Sequence, residues 1–300
     1  EGTDSFLPGE PALNILRRLL ASSDGKNVYT ASWNSQLDTI VTLSREPATG
    51  LLEVSGELTA NQVPELTSPQ EIAQSPDGRW LFVASLTDNV VSLERNPVTG
   101  ALSLAGVING DLAELRGFLN LTVSPDSKFV YVTSSRGAIS IMSVNPDGTL
   151  SFESIILPTD VVALGDPTSI SISPDGKNAY VTDESAGAPK LLVFSRNTLD
   201  GSLSLIQTLP GDGSSGMTFV SPNYVNSEPD GNFVVFSSYA NGIFLLSRDT
   251  NTGLLTLADF QAGNFGESAF DRKSNLIAVR QGLNQLISIN FIQNQAIYTK

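Results

Sequence analysis

The chain has 300 residues, of which 40% are hydrophobic, and its 25 glycines and 16 prolines supply turns for many short strands. The formal net charge of −14 repels nucleic acid phosphates and anionic membrane surfaces, and no apolar run approaches the roughly 20 residues that span a bilayer. The sequence contains neither Cys nor His, which excludes disulfides, thiol nucleophiles and imidazole bases. We therefore expect a protein that neither binds nucleic acid nor inserts into a membrane.

A turn followed by an apolar run repeats along the chain. The first copy is SSDGKNVYTAS, which starts at Ser22, and later copies include SPDGRWLFVAS at Ser75 and SPDGKNAYVTD at Ser173. A degenerate sixth copy spans residues 271–281. The turn aspartates of the five clear copies lie 53, 49, 49 and 55 residues apart; they are Asp24, Asp77, Asp126, Asp175 and Asp230. A period of this length indicates a repeat architecture, in which we interpret these aspartates as turn formers and not as metal ligands.

Each copy contains four short runs that are rich in Val, Ile, Phe and Tyr and are bounded by turn residues, which is typical of short strands. Many runs are apolar on both faces, so each sheet must be covered on both sides. This pattern predicts an all-β fold, a β-propeller of six four-stranded antiparallel blades. The alternative is a seven-bladed propeller that lacks one blade or completes it from outside this sequence.

We assign residues 1–300 to a single β-propeller domain. The blades are placed at about residues 11–58, 68–108, 117–157, 166–209, 215–261 and 265–300. Residues 12–20 also show helical spacing of apolar side chains, but alignment with the later copies places a strand there.

The motifs SPDSKFVYVTS and SPDGKNAYVTD, with an FSR strand end and a TG-LSL turn, resemble the YVTN-repeat and lactonase-type β-propellers. That family includes 6-phosphogluconolactonase-like enzymes, muconate-lactonising enzymes and cell-surface repeat proteins. The resemblance implies seven blades and, in the enzymes, a Pro-His pair that opens the first strand of a blade and faces the central channel. The matching positions here are Pro69-Gln70 and Pro167-Thr168.

One candidate ligand-binding site is a ring of polar side chains in the first strands, six residues before each turn aspartate. In a closed six-bladed ring, Arg18 would lie between Glu71 and Glu267. These residues form either an ion pair between blades or a channel site for a small polar ligand or a hard cation. The ring consists of Arg18, Glu71, Asn120, Ser169 and, by looser alignment, Glu267.

A second set of candidate ligand-binding residues lies on loops between the second and third strands, on the face where propellers usually bind ligands. Aromatic and Arg side chains on exposed loops favour recognition. This set comprises Trp33, Arg136, Asp183, Tyr239 and Arg280. A separate series, Arg45, Arg95, Arg196 and Arg248, ends the third strands, and we expect its partners to be acidic residues of adjacent blades.

The sequence leaves two functions open. The first, which we favour because no imidazole base is present, is a non-catalytic, exported or cell-surface propeller that binds a protein or glycan. The alternative is a lactonase-like hydrolase or isomerase in which Glu71 or Glu267 acts as base and Arg18 stabilises the oxyanion.

We expect no cofactor, although the enzyme alternative could use a divalent cation such as calcium or magnesium. The acidic composition, the absence of Cys and a first residue other than Met favour a secreted, periplasmic or cell-surface location. The sequence does not predict the oligomeric state.

Overall fold

The computed structural model describes the backbone of residues 16–32, 38–109, 117–270, 276–280, 285–292 and 295–299. These residues form strands in six four-stranded antiparallel sheets, each in the simple order first to fourth. No helix in this part of the chain has the length and hydrophobicity to span a membrane. The predicted all-β blades are therefore confirmed, and residues 16–21 form a strand as the repeat indicated.

The chain divides into two compact units, residues 1–111 with 145–150 and residues 112–144 with 151–300. The first unit contains blades 1 and 2. The strands of blade 1 are β1 (Leu16–Ala21), β2 (Asn27–Ser32), β3 (Thr39–Arg45) and β4 (Leu52–Thr59). The strands of blade 2 are β5 (Pro69–Gln74), β6 (Trp80–Ser85), β7 (Asn89–Arg95) and β8 (Leu102–Asn109).

The second unit contains blades 3 to 6. Blade 3 comprises β9 (Phe118–Val123), β10 (Phe129–Ser134), β11 (Ala138–Val144) and β12 (Leu150–Ile156). Blade 4 comprises β13 (Pro167–Ile172), β14 (Asn178–Asp183), β15 (Lys190–Arg196) and β16 (Leu203–Pro210). Blade 5 comprises β17 (Pro222–Ser227), β18 (Phe233–Ser238), β19 (Gly242–Arg248) and β20 (Leu255–Ala262). Blade 6 comprises β21 (Phe265–Phe270), β22 (Leu276–Arg280), β23 (Gln285–Ile292) and β24 (Gln295–Thr299).

Apolar side chains from neighbouring blades form the core within each unit. In the first unit, Tyr29 and Ile40 of blade 1 pack with Leu81 and Val91 of blade 2. In the second unit, similar clusters join blade 3 to blade 4 and blade 4 to blade 5. This arrangement explains why the second strands are apolar on both faces: all six residues of β6, β10 and β14 are buried.

Every first strand contains a β-bulge near its beginning. Pro69 pairs with Ser85 and Glu71 with Ala84, so Gln70 is an extra residue without an opposite partner. The same shift occurs in the other first strands, where the extra residues of blades 1, 3, 4 and 5 are Arg17, Leu119, Thr168 and Asn223. A bulge bends its strand and changes the direction of the side chains that follow. It therefore sets where the polar residue after it points.

An arginine at the end of a third strand links two blades. The Nη2 of Arg95 in blade 2 donates to both carboxylate oxygens of Asp24 in blade 1, at 3.0 and 2.9 Å. Its Nε donates to the Tyr29 hydroxyl at 2.8 Å, and that hydroxyl donates to the Gly100 carbonyl at 2.9 Å. Asp24 thus accepts hydrogen bonds within its own turn and from the arginine of the next blade.

The second unit repeats this link. Arg196 donates to the Tyr131 hydroxyl at 2.6 Å and to Asp126 at 3.0 Å, and Arg248 donates to Asp175 at 2.9 Å. The predicted pairing of these arginines with acidic residues of adjacent blades is confirmed at three junctions. Arg45 differs, because it is exposed and has no ion-pair partner among the residues that the structure describes.

Replacement of Arg196 by Met should lower the free energy of unfolding by about 2 kcal/mol, since it removes the charged partner of the partly buried Asp126 carboxylate and the donor to the buried Tyr131 hydroxyl. Arg45→Met is the matched control, because it removes the same side chain from an exposed position, and we expect less than about 0.5 kcal/mol. Urea denaturation followed by tryptophan fluorescence measures both. Equal effects of the two substitutions would refute the proposed stabilising role of the link.

The link should also fail in acid. Burial of Asp24 opposes ionisation, but hydrogen bonds from Ser22 and Arg95 outweigh it and lower the pKa of Asp24 from 3.8 to about 2. Because the folded-state pKa lies below the unfolded value, this stabilisation is complete above about pH 4 and is lost as the pH falls towards 2. Thermal unfolding between pH 5 and 2 should therefore show a shallower decline in Asp24→Asn than in the parent protein.

Candidate functional site

Arg18 and Glu71, the first two members of the predicted ring, form an ion pair between blades 1 and 2. The Nε of Arg18 donates to Oε2 of Glu71 at 2.8 Å, and the two side chains are 11% and 12% exposed. The other carboxylate oxygen of Glu71 accepts the backbone N–H of Ile72 at 3.2 Å. Both residues immediately follow a bulge, which directs them towards each other. Their geometry matches the ion pair that the sequence offered as one interpretation.

Asn120 and Ser169 occupy the same ring position in blades 3 and 4, and they link first strands as well. The amide oxygen of Asn120 accepts the backbone N–H of Ile170 at 3.0 Å, and the Ser169 hydroxyl accepts that of Val225 at 3.3 Å. A first strand is the edge of its sheet, so its outward N–H groups lack ladder partners. The side chains of Asn120 and Ser169 supply acceptors for these N–H groups, so both residues stabilise the contact between neighbouring blades.

The loop candidates fall into different environments. Arg136 and Tyr239 are exposed in the β10–β11 and β18–β19 loops, as predicted. Trp33 lies outside the described residues, and so do the side chains of Glu267 and Arg280. Asp183 corrects the prediction, because it is the last residue of β14 and its side chain has no exposed surface. It cannot act as an exposed recognition residue.

Asp183 instead holds the connection between blades 3 and 4. Its Oδ2 accepts the backbone N–H groups of Gly165 at 2.7 Å and Asp166 at 3.0 Å. Its Oδ1 accepts the N–H of Ser185 at 3.1 Å and lies 3.3 Å from the Lys190 ammonium. A buried carboxylate with this many donors fixes the loop that leads into β13.

Asp166 is the residue that this loop presents. It is partly buried and comes immediately before Pro167-Thr168, the pair that matches the Pro-His position of the family. Burial, followed by the negative charges of Asp183 and Glu184, raises the pKa of Asp166 above its usual 3.8. Among the described residues, its carboxylate accepts no hydrogen bond. No sequence motif indicates Asp166, because this environment forms only when the end of β14 folds against the loop before β13.

Arg136 lies close to the Asp166 loop. A Cβ built on Gly137 would lie 2.6 Å from the carbonyl oxygen of Gly165, so the backbones of the β10–β11 turn and the loop before β13 are in contact. Arg136 precedes Gly137 and Asp166 follows Gly165. Within the described residues, the Arg136 guanidinium has no ion-pair partner. The structure therefore places an exposed arginine in the turn that contacts the Asp166 loop.

This arrangement suits general base chemistry. A carboxylate whose pKa is raised by burial and like charges accepts a proton more readily than an ordinary aspartate, and an arginine can stabilise an oxyanion. The described residues contain no group of three or more acidic side chains placed to hold a metal ion. The expectation of no cofactor, with calcium or magnesium as a possibility for an enzyme, stays a prediction.

Comparison with known proteins relates these blades to lactonases. Residues 16–111 match the family model described as "Lactonase, 7-bladed beta-propeller". The resemblance to the lactonase-type β-propellers is confirmed. The seven blades of that family correspond to the alternative that the sequence left open. No protein in the curated set matches this chain.

Solved structures share the fold. A putative 6-phosphogluconolactonase from Bacteroides uniformis is 20% identical with a TM-score of 0.76, over 94% of this chain and 83% of that one. A putative 6-phosphogluconolactonase from Bacteroides fragilis is 19% identical with a TM-score of 0.74, over 94% and 82%. The periplasmic gluconolactonase of Pseudomonas aeruginosa is 18% identical with a TM-score of 0.72, over 94% and 84%. At these identities the likeness shows the fold alone.

The prediction of a non-catalytic binding platform is wrong by these comparisons, which point to the lactonase-like alternative. That prediction depended on the missing imidazole. A missing imidazole does not by itself exclude catalysis, because burial and neighbouring charges can raise the pKa of a carboxyl group, as they do for Asp166.

Gly137→Ala tests the contact that brings Arg136 near Asp166. Gly137 and Gly187 both have positive φ, of 83° and 75°, but no atom lies within 4 Å of a Cβ on Gly187. Gly187→Ala should cost about 1 kcal/mol of stability through backbone strain alone. Gly137→Ala should cost at least about 1 kcal/mol more, since the Gly165 carbonyl must move. Equal melting temperatures for the two variants would refute the contact.

Proposed function

We propose that this protein is a lactone hydrolase in which Asp166 acts as the general base. The observation that carries the proposal is the partly buried Asp166 carboxylate with a raised pKa, directly before Pro167-Thr168. The family resemblance aligns that pair with the Pro-His pair of the enzymes. The lactonase family match and the lactonase neighbours support the reaction class. The site uses residues of the second unit only.

In the proposed reaction, the Asp166 carboxylate accepts a proton from a water molecule as the water oxygen attacks the lactone carbonyl carbon. The Arg136 guanidinium stabilises the oxyanion of the tetrahedral intermediate. When the ring C–O bond breaks, the leaving alkoxide takes the proton back from Asp166. One lactone and one water thus give one hydroxy acid, and the carboxylate is regenerated.

This proposed function changes the predicted ligand, the predicted location and the role of the Arg18–Glu71 pair. The ligand becomes a small lactone, and a protein or glycan partner stays an untested prediction. We propose an exported, periplasmic location, which one neighbour supports because it is a periplasmic gluconolactonase. Arg18 and Glu71 are structural in this proposal, because each already engages the other.

Asp166→Asn should lower the hydrolysis rate of δ-gluconolactone by about 10²- to 10⁴-fold, since an amide cannot accept the proton. Acid release measured in a weakly buffered indicator assay, with the uncatalysed hydrolysis subtracted, reports the rate. In the parent protein, activity should fall as the pH drops through the raised pKa of Asp166, because the base must be ionised.

Glu71→Gln is the discriminating variant, and its rate should stay within threefold of the parent when the protein is folded. Loss of activity in Glu71→Gln with retention in Asp166→Asn would refute the proposed base and favour the Arg18–Glu71 pair. A folded parent protein that accelerates no sugar lactone would refute the function.

A further inference from the structure

Blade 4 departs from the other blades at the end of its second strand. In the ladder, Asp183 pairs with Pro167, the first residue of β13. The equivalent positions in blades 1, 2, 3 and 5 are all serine, namely Ser32, Ser85, Ser134 and Ser238, each paired with the first residue of its first strand. The fold therefore requires no carboxylate at this position.

The partner of Asp183 on the other side is also unusual. Asp183 pairs with Lys190, the first residue of β15. The same ladder position is Thr39 in blade 1, Ala138 in blade 3 and Gly242 in blade 5. The residue before the first strand is Asp166 in blade 4, whereas it is Ser68 in blade 2 and Ser221 in blade 5.

The three residues that distinguish blade 4, Asp166, Asp183 and Lys190, lie next to one another. Asp183 accepts hydrogen bonds from the backbone of Gly165 and Asp166, while the Lys190 ammonium lies 3.3 Å from Asp183 and donates to the Ala188 carbonyl at 3.0 Å. The Lys190 side chain is only 12% exposed. A buried, unneutralised carboxylate is unfavourable, so Lys190 balances the charge that Asp183 introduces.

We propose that Asp183 and Lys190 are positioning residues for Asp166: Asp183 fixes the backbone that carries Asp166, and Lys190 neutralises the charge of Asp183 beside it. The catalytic consequence rests on the proposed function. The positioning itself does not, because it follows from the hydrogen bonds of Asp183 to the backbone of Gly165 and Asp166 and from its ion pair with Lys190.

Four charged side chains surround the Asp166 loop. Asp183 at the end of β14 and Glu184 in the β14–β15 loop are negative, and they favour the protonated form of Asp166. Lys190 at the start of β15 is positive and pairs with Asp183, so it offsets the effect of Asp183 on Asp166. Arg136 in the β10–β11 turn is positive and exposed. Removal of either member of the Asp183–Lys190 pair must therefore shift the titration of Asp166, and the two removals must shift it in opposite directions.

The experiment uses the residues that other blades carry. Asp183→Ser introduces the serine of four blades, and Lys190→Thr introduces the threonine of blade 1, so both changes suit the sheet. Carboxyl carbon NMR of protein labelled with ¹³C-aspartate follows the titration, and Asp166→Asn assigns its signal. The midpoint should fall by on the order of one pH unit in Asp183→Ser and rise in Lys190→Thr.

The acid limb of lactone hydrolysis should move with the NMR midpoint in each variant. Asp200→Ser is the control, because it removes an exposed carboxylate from the β15–β16 turn at the other end of the same blade, and it should shift neither readout. A structural role alone would lower stability without opposite shifts.

Each outcome has a distinct meaning. Midpoints that stay unchanged, or that shift in the same direction in both variants, overturn the proposal. If the parent protein hydrolyses no lactone but the midpoints shift in opposite directions, the proposed function fails and the electrostatic coupling stands. If Asp183→Ser does not fold, the Lys190→Thr midpoint decides by itself, and a rise is required.

Discussion

The described second strands of blades 1 to 5 bury apolar side chains on both faces, and exposure of these side chains to water would be unfavourable. Within each unit, neighbouring blades cover these faces with their own apolar side chains, as Tyr29 and Leu81 do between blades 1 and 2. Apolar contact has no direction, however, and would permit blades to slide. The Arg–Asp–Tyr links and the hydrogen bonds between first strands fix the register of neighbouring blades, because each hydrogen bond requires one donor and one acceptor at a set position.

The framework and the candidate site use opposite ends of the blades. The turn aspartates and the arginines that bind them lie at the end with the short hairpin turns, and Asp166, Asp183 and Arg136 lie at the loop end. A substitution at the loop end therefore leaves the links intact. This separation allows blade 4 to carry charges that its neighbours lack.

The repeat made the fold predictable, since each copy shows the same turn and strand residues and averages out local ambiguity, as at residues 16–21. The partners of Arg95, Arg196 and Arg248 were predictable for the same reason. Asp166 was not, because its properties come from burial and from two charges at and just after the end of β14. The spacing of the repeat predicted Asp183 in a loop, whereas the strand pairing places it in β14, opposite Pro167 and Lys190 and buried.

The bulge near the start of every first strand separates a residue from the ladder. Gln70, Thr168 and Asn223 have no opposite partner in the ladder, so exchanging one of them breaks no pair of residues in its sheet. Evolution can exchange such a residue without re-pairing the sheet. A sheet built in this way carries one such position at the start of its first strand, and new specificities can arise there while the strand pairing is inherited unchanged.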